Sequence, residues 1–445
     1  MKTHRIVCLS LVIFAALRAG ASAATYDLAA CVERGLRANP GIASRKIAIA
    51  ESEKDISSAI SRFLPTVTAA HQISTLSNHG SFADSVNYPD QNGTVASLRL
   101  SQPLFTGFAG LTTLEKARYV RELRQTELRE ARVGLIRDIQ RQFFEYLRLV
   151  AEVETAEVTV AGLEKQLKSA NAFYEQRMAP QLQVLQAEVR VSSARQELVL
   201  AQTKAENGRR RLNELLAFAP NDSDIEYSGR LADFDYQGGQ PLADYSARAL
   251  SRPDLRMGEL NIALARKDAK LALSRALPRV SVDADYNDRQ RDNTNPLHSD
   301  YNEDYWTLGL NMSMNVFQGG ADVADYRKQV LVANRYEEDL RKLRNQIDRE
   351  VLVAYASQQE ALLRIDSARK IKDVAEAALD RAQTAFELGL GTTTVVLDAQ
   401  EELTRAMSGI SRAQADFMGF KADLDYLAAR DEAYAADDQS TSKTQ

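Results

Sequence analysis

The sequence predicts a mainly α-helical, internally duplicated protein in which a small membrane β-structure is joined to long helices. Three observations predict this class. One pattern of prolines, turns and apolar residues occurs twice, and the offset between the two copies is nearly constant along the chain. Each copy contains a proline-free stretch of about 70 residues whose apolar positions step by 3, 4 or 7, as in long helices. Each copy also contains two segments that alternate apolar and polar residues, as strands do.

The start of the chain predicts export. Lys2 and Arg5 precede an apolar run over residues 6–17, and Ala21-Ser22-Ala23 follows as a cleavage signal. This order is typical of a secretory signal peptide. The run has about 12 residues, whereas a helix that spans a bilayer needs about 20. We therefore predict that residues 1–23 are a signal peptide and are removed.

The mature chain is predicted to be acidic and to carry one cysteine. The signal peptide contains three lysine or arginine residues, so its removal changes the formal net charge from −5 to −8. Nucleic-acid binding usually needs a basic face, so this charge argues against a nucleic-acid partner. Only Cys31 remains, which excludes an intrachain disulfide. Cys31 follows Leu28-Ala29-Ala30 as in a lipidation signal, but Thr25–Asp27 separate this motif from the apolar run, which favours an unmodified helix-face cysteine.

The duplication sets the predicted domain boundaries. Asn39-Pro40 corresponds to Arg252-Pro253, and the same register later pairs Val184-Leu185-Gln186-Ala187 with Val396-Leu397-Asp398-Ala399. Prolines, turns and strands all align, which two helices matched only by composition would not do. The predicted parts are repeat 1 at 24–217, a linker at 218–240 around the middle of the helical part, repeat 2 at 241–436, and a disordered tail at 437–445.

Both copies have the same predicted order of elements. A short helix leads into a helix that begins with proline, which suits the first helical turn because its N–H is not needed there. A Leu-Pro step ends this helix and begins an extended hairpin, predicted at 65–106 and 278–317. A helical hairpin follows in each copy, predicted at 107–217 and 319–430.

The extended segments predict membrane strands. In the second copy, apolar residues alternate with polar ones from Trp306 to Val316. Period 2 over about 10 residues with a polar opposite face is typical of transmembrane barrels. Tyr286, Tyr305 and Trp306 are expected as aromatic residues at the membrane interface. The alternative is an ordinary amphipathic hairpin that packs on helices.

Four strands cannot close a membrane barrel, since even small barrels have about 8. An open sheet would expose the unpaired backbone groups of its edges to lipid. Three chains with four strands each would close a 12-stranded barrel. Closure therefore predicts a homotrimer in contact with outer-membrane lipid.

These features together resemble the TolC-type outer-membrane factor family over nearly the whole mature chain. The markers are Asn39-Pro40, Arg252-Pro253-Asp254-Leu255, Gln102-Pro103-Leu104-Phe105 with Gly107, and Gly389 with Leu397-Asp398-Ala399. The resemblance implies a trimeric 12-stranded β-barrel that continues into a long α-helical barrel. It also implies the outer membrane of a Gram-negative bacterium, with the helical barrel in the periplasm. The implied partners are a periplasmic adaptor protein and an inner-membrane transporter of the RND or ABC type.

The resemblance also implies site residues at the ends of the helical hairpins. The adaptor-docking tip corresponds to Gly389-Leu390-Gly391-Thr392 and, in the first repeat, to Arg177-Met178-Ala179-Pro180. Asp398 corresponds to an acidic residue that rings the narrow end of the pore. The neighbouring acidic position of that ring is Val395 in this sequence, and the equivalent acidic position of the first hairpin is Gln183. Three copies of Asp398 would concentrate negative charge in a narrow mouth, although such a residue can also be a solvated carboxylate on a helix face.

Other classes of function are less well supported by the sequence. The mature chain has three histidines (His71, His79 and His298), and no motif for catalysis, metal binding or a cofactor is apparent. A structural or adhesive coiled-coil protein of the envelope would explain the helices but not the repeated strands. The main prediction is a passive exit duct for an efflux or type I secretion system. The cargo (drugs, metals or polypeptides), the individual pump and adaptor, and the resting state stay open.

Overall fold

The computed structural model describes residues 24–76, 91–222, 224–293 and 301–429. The predicted signal peptide and the predicted disordered tail lie outside the described residues. The chain forms two compact units, one built from residues up to Arg45, Leu128–Pro253 and residues from Leu343, the other from Lys46–Glu127 and Asp254–Lys342. In the described part of the chain, no helix is both long and apolar enough to cross a membrane.

The helices of the two repeats match in order, and all but the first pair match in length. The first repeat contains α1 (Leu28–Ala38), α2 (Pro40–Ser61), α3 (Ala109–Glu175) and α4 (Gln181–Leu215). The second contains α5 (Leu242–Ala249), α6 (Pro253–Ser274), α7 (Ala321–Glu387) and α8 (Thr393–Leu427). The long helices α3 and α7 have 67 residues each, and the return helices α4 and α8 have 35 each. Both hairpins therefore follow one template.

The backbone at the ends of these helices is also repeated. Four positions of the first repeat have a positive φ, and each recurs at the equivalent position of the second repeat with a similar angle. Positive φ is the left-handed region that commonly ends an α-helix. The chain thus turns in the same way in both repeats, although the residue types differ in two of the four pairs. The pairs are Gly107 (62°) with Gly319 (61°), Phe108 (65°) with Gly320 (82°), Arg177 (60°) with Gly389 (73°), and Ala217 (56°) with Ala429 (48°).

The extended segments form one four-stranded antiparallel sheet. Its strands are β2 (Thr66–Leu76), β3 (Gln91–Thr106), β5 (Arg279–Asn293) and β6 (Tyr301–Ser313), in the order β2-β3-β5-β6. The central pair, β3 with β5, joins the hairpin of one repeat to that of the other. Each repeat therefore contributes half of a continuous sheet.

The sheet has one apolar and one polar face. Residues that lie opposite each other on neighbouring strands share a face, and the face alternates along each strand. Two neighbouring rows of the apolar face are Val67-Leu100-Ala284-Leu308 and Ala69-Leu98-Tyr286-Trp306. On β5 and β6 the next row is polar, because Asp288 lies opposite Asp304. On these two strands the apolar band therefore ends at Tyr286 and Trp306.

Tyr305 lies on the other face from Trp306. It is opposite Asn287, and the guanidinium carbon of Arg289 lies 5.4 Å from the centre of its ring. This contact is a cation–π interaction on the polar face. Of the three aromatic residues singled out in the sequence, the structure brings together Tyr286 and Trp306 only.

The last strand is shorter than the alternation predicts. We expected it to continue to Val316, but β6 ends at Ser313, so the assignment of Met314 and Val316 to the strand is wrong. Ser313 pairs with Arg279, and the next residue of the partner strand would be Pro278. Because proline has no backbone N–H, the ladder cannot continue there.

A small parallel sheet ties the start of the chain to the linker. β1 (Ala24–Tyr26) pairs with β4 (Ile225–Tyr227), which the sequence did not predict. The linker also contributes Leu231 and Phe234 to the main core of its unit. The other core residues come from α1, α3, α4, α7 and α8, and include Cys31, Phe143, Leu212, Ile365 and Phe417. The linker is therefore an integral part of this unit.

Cys31 lies inside this core with an exposed fraction of 0%. Burial is the main cause that raises the pKa of its thiol to about 12, with a smaller contribution from Asp27. The Asp27 carboxylate also accepts a 2.8 Å hydrogen bond from the N–H of Ala30 and caps α1. Cleavage directly before Cys31 would remove this cap and strand β1, which argues against lipidation.

We predict that Cys31 is unmodified and unreactive in the native protein. Because the thiol is buried and almost entirely protonated at pH 8, maleimide should label it only after unfolding in urea. The intact mass should correspond to a mature chain that begins near Ala24. A lipid adduct on Cys31, or rapid labelling of the native protein, would contradict this assignment.

Candidate functional site

The candidate site comprises the two turns that end the helical hairpins. Between α3 and α4, the N–H of Met178 donates to the carbonyl of Phe173 at 2.8 Å. Between α7 and α8, the N–H of Leu390 donates to the carbonyl of Ala385 at 2.9 Å. In each case the donor directly follows a residue in the left-handed conformation, and the acceptor lies five residues before the donor. This hydrogen bond is characteristic of the Schellman motif, which ends a helix. Both turns have this geometry, one with Arg177 and one with Gly389 at the left-handed position.

The two turns present large apolar side chains at equivalent positions of the two repeats. Met178 is 65% exposed and Leu390 is 82% exposed, and each directly follows the left-handed residue of its turn. Gly391 is constrained by its surroundings, since an added Cβ would lie 3.2 Å from the backbone nitrogen of Phe386. The tips are therefore two short, well-defined turns, each with an apolar residue exposed at its end.

Three contacts connect the ends of the two hairpins. The rings of Phe173 and Phe386 meet edge to face, with centroids 5.0 Å apart. Close to the tips, the Thr393 hydroxyl donates a 2.9 Å hydrogen bond to the side-chain oxygen of Gln183. The third contact lies further along α4 and α8, where Arg190 is 3.2 Å from Glu401.

The carboxyl group of the Arg190–Glu401 ion pair has a lowered pKa. A hydrogen bond from Arg405 is the largest cause that lowers the pKa of Glu401, and Arg190 adds to it. A carboxyl group with a lowered pKa stays charged as the pH falls through its ordinary range. The Glu401 carboxylate therefore keeps its charge to a lower pH than an ordinary glutamate does.

Asp398 and Gln183, the two predicted constriction residues, have different surroundings. Gln183 is half-buried and hydrogen-bonded to Thr393, whose side chain is fully buried. Asp398 is exposed and lines a surface groove of about 370 Å³ between α4 and α8. The apolar part of this groove is formed by Leu182, Leu185, Val189 and Leu397. Gln183 thus connects the hairpins, whereas Asp398 points its charge to the surface.

Sequence reasoning did not identify Thr393, Arg190, Glu401, Phe173 or Phe386. The repeat register could not indicate the aromatic contact, because Phe173 is equivalent to Ala385 and Phe386 to Tyr174. The ion pair offers no sequence signal either, since Arg190 and Glu401 lie far apart in the sequence on different hairpins. These contacts depend on how the two hairpins pack and not on either repeat alone.

The family model described as outer membrane efflux protein matches residues 32–217 and 245–430, which is most of the chain.

The chain belongs to the outer membrane efflux protein family.

Curated relatives agree with this assignment. The outer membrane protein TolC of Vibrio cholerae is 22% identical over 337 residues, which cover 73% of this chain and 74% of that protein. The solvent efflux pump outer membrane protein SrpC of Pseudomonas putida is 24% identical over 293 residues, or 65% of this chain and 60% of that protein. The pyoverdine export outer membrane protein OpmQ of Pseudomonas aeruginosa is also 24% identical, over 65% of this chain and 60% of OpmQ.

Solved structures share the fold. VceC of Vibrio cholerae superposes with a TM-score of 0.72 at 16% identity, over 90% of this chain and 96% of that chain. The outer-membrane channel OprN gives a TM-score of 0.74 at 19% identity, over 90% and 89% of the two chains. The predicted fold class of a TolC-like channel is therefore confirmed. The family also confirms the outer-membrane location and an efflux channel, and it disfavours the alternative of a structural coiled-coil protein.

We predict that the Gln183–Thr393 bond stabilises the tips. Replacing Gln183 by alanine leaves the buried Thr393 hydroxyl without its partner, which costs about 1 to 3 kcal/mol. Amide hydrogens of residues 388–394 should then exchange at least about 5-fold faster. Gln186→Ala, one helical turn away and exposed, is the matched control and should leave exchange unchanged. Equal exchange in both variants would rule out this role for Gln183.

Proposed function

We propose that three copies of the chain form a passive duct in the outer membrane, through which an inner-membrane transporter exports its cargo. The four-stranded sheet is the main support. In the described residues, β2 and β6 each pair along one side only, so their outer sides carry N–H and C=O groups without a strand partner. In lipid such groups need partners. Joining β2 of one copy to β6 of the next would close a barrel of 12 strands.

The two faces of the sheet support this arrangement. The apolar face, with Leu308, Leu310 and Met312 all exposed in the single chain, would contact lipid. On the polar face, the Asp283 carboxylate accepts hydrogen bonds from Ser101, Ser281 and Asn311. Next to it, Arg99 forms an ion pair with Asp285. A water-filled interior suits such a polar face.

The helical tips support docking of a periplasmic adaptor protein. Met178 and Leu390 are exposed apolar side chains on rigid turns, and exposed apolar groups of this kind commonly serve as anchors in protein interfaces. The adaptor would connect the duct to a transporter of the RND or ABC type. The names of SrpC and OpmQ refer to solvent efflux and pyoverdine export, which supports small molecules as the cargo. In this role the chain positions and conducts the cargo and carries out no catalytic step.

Asp398 is proposed to set the ion preference of the pore. It is exposed on α8, a little more than one helical turn beyond Thr393, which is tied to the other hairpin. Three copies around a threefold axis would place three carboxylates near one narrow opening, where they attract cations and repel anions. Gln183, which is neutral and hydrogen-bonded to Thr393, would add no charge to this ring.

We predict that the purified protein forms cation-preferring channels in planar bilayers. Asp398→Asn removes the proposed ring of charge without changing the size of the side chain, so the reversal potential in a salt gradient should shift towards zero. Asp373→Asn, at another exposed aspartate of the helical part, is the matched control. An unchanged ion preference in Asp398→Asn would exclude the ring, and an absence of channels would exclude the duct.

A further inference from the structure

The end of the first repeat shows how the chain is held after a return helix. Just beyond α4, Ala217 has a positive φ and turns the chain. Asn213 is fully buried, and its side-chain amide donates to the carbonyls of Ala219 and Asp222 at 3.2 and 3.3 Å. Arg209 donates to the same carbonyl of Asp222. Two side chains of α4 therefore hold the following segment against the end of their own helix.

The second repeat has the same positions. The repeat offset places Lys421 at the position of Arg209 and Asp425 at that of Asn213, both on α8. Beyond α8, Ala429 has a positive φ, as its counterpart has in the first repeat. The positive charge and the left-handed turn are thus both kept at the end of α8.

Lys421 and Asp425 line a groove of about 300 Å³ between α3, α8 and the linker. The apolar part of this groove includes Phe144, Phe234 and Met418. Arg137 of α3 brings a second positive charge to it. Lys421 is exposed, whereas the Arg209 side chain, which the segment after α4 contacts, is only 14% exposed. The groove is therefore open at a position that is covered in the first repeat.

A polar atom at this groove supports the presence of an occupant. Gln140 lines the groove, and its side-chain oxygen is buried without a hydrogen-bond partner among the described residues. Buried polar atoms in native proteins nearly always have a partner. A peptide segment in the groove would supply one, because its backbone carries an N–H group at every residue other than proline.

We propose that residues 430–436 of the same chain fold back over the end of α8 and occupy this groove. They directly follow Ala429 and lie outside the described residues. Lys421 precedes Ala429 by about two helical turns, or about 12 Å along α8. A segment of this length spans up to about 23 Å when extended, so it reaches the groove. This docking is independent of the proposed duct, because it requires a single chain only.

The composition of the segment fits the groove. Asp431 and Glu432 supply negative charge for its two cations. In the repeat register Tyr434 corresponds to Asp222, so its backbone carbonyl is placed to accept from Lys421 as that of Asp222 accepts from the first repeat. The tyrosine ring then covers the apolar part, with its hydroxyl group towards water, which suits a large side chain with one polar end.

One difference between the repeats changes the direction of the hydrogen bonds. Asn213 donates to backbone carbonyls, whereas the carboxylate of Asp425 can only accept. Asp425 therefore accepts from N–H groups of the docked segment, and the acidic side chains of that segment face the cations. The second repeat holds its segment mainly by charge, where the first uses a buried amide.

Tryptophan fluorescence tests the docking in the full chain. The chain has one tryptophan, so the variant Trp306→Phe with Tyr434→Trp carries a single fluorophore in the segment. We expect blue-shifted emission and weak quenching by acrylamide, both lost in urea. Adding Lys421→Glu should give the emission of an exposed tryptophan, because the groove then repels the segment. The matched control Lys370→Glu, at an exposed lysine of α7, should leave the emission unchanged.

Disulfide formation tests the same contact without relying on the tryptophan. Gln140→Cys with Tyr434→Cys, in a Cys31→Ala background, should form a link within one chain, since side chains in contact are within reach of a disulfide. Gln140→Cys with Ser442→Cys is the control and should link much more slowly. Equal linking of both pairs, or exposed emission in the parent tryptophan variant, would overturn the docking. A link at the dimer position would overturn it too, since another copy would then fill the groove.

Discussion

The edges of the four-stranded sheet impose the constraint on which the rest of the structure depends. Water can satisfy a free strand edge at the surface of a soluble protein, but hydrocarbon cannot. The central pairing of β3 with β5 joins the two hairpins but leaves the outer sides of β2 and β6 without a strand partner in the described sheet. In the proposed duct, a chain with this sheet is consequently one part of a closed assembly. The duplication provides two hairpins per chain, and further copies provide the remaining strands.

The same logic extends to the helices. A closed ring of repeats needs the same contact between every pair of neighbours, whether the two belong to one chain or to two. The identical lengths of α3 and α7 and of α4 and α8, together with the repeated left-handed positions, preserve that geometry. The side chains at equivalent positions differ, as at the tips, where Arg177 and Gly389 occupy the left-handed position. The two repeats therefore have the same backbone geometry but different surface side chains.

Much of this architecture was predictable because it depends on local patterns. Two of these patterns lie within a short segment: the prolines Pro40 and Pro253 mark where a helix begins, and the alternation of apolar and polar residues marks a strand. The constant repeat register then predicts the elements of the second copy from those of the first. Three features were not predictable. The end of β6 at Ser313 depends on the proline that precedes the partner strand. The pairing of β1 with β4 joins residues 24–26 to the distant linker. The side-chain contacts of Gln183 and Phe173 depend on packing between hairpins. Tertiary contacts between distant segments leave no periodic signal in a sequence.

The number of chains in each channel tests the central claim most directly. Native mass spectrometry of the complex extracted from outer membranes in mild detergent measures this number without altering the protein. We predict three copies of the mature chain, since four strands from each then close a 12-stranded barrel. A conducting complex of one or two chains, or of four, would contradict the account, because the sheet edges would then have to be satisfied in another way.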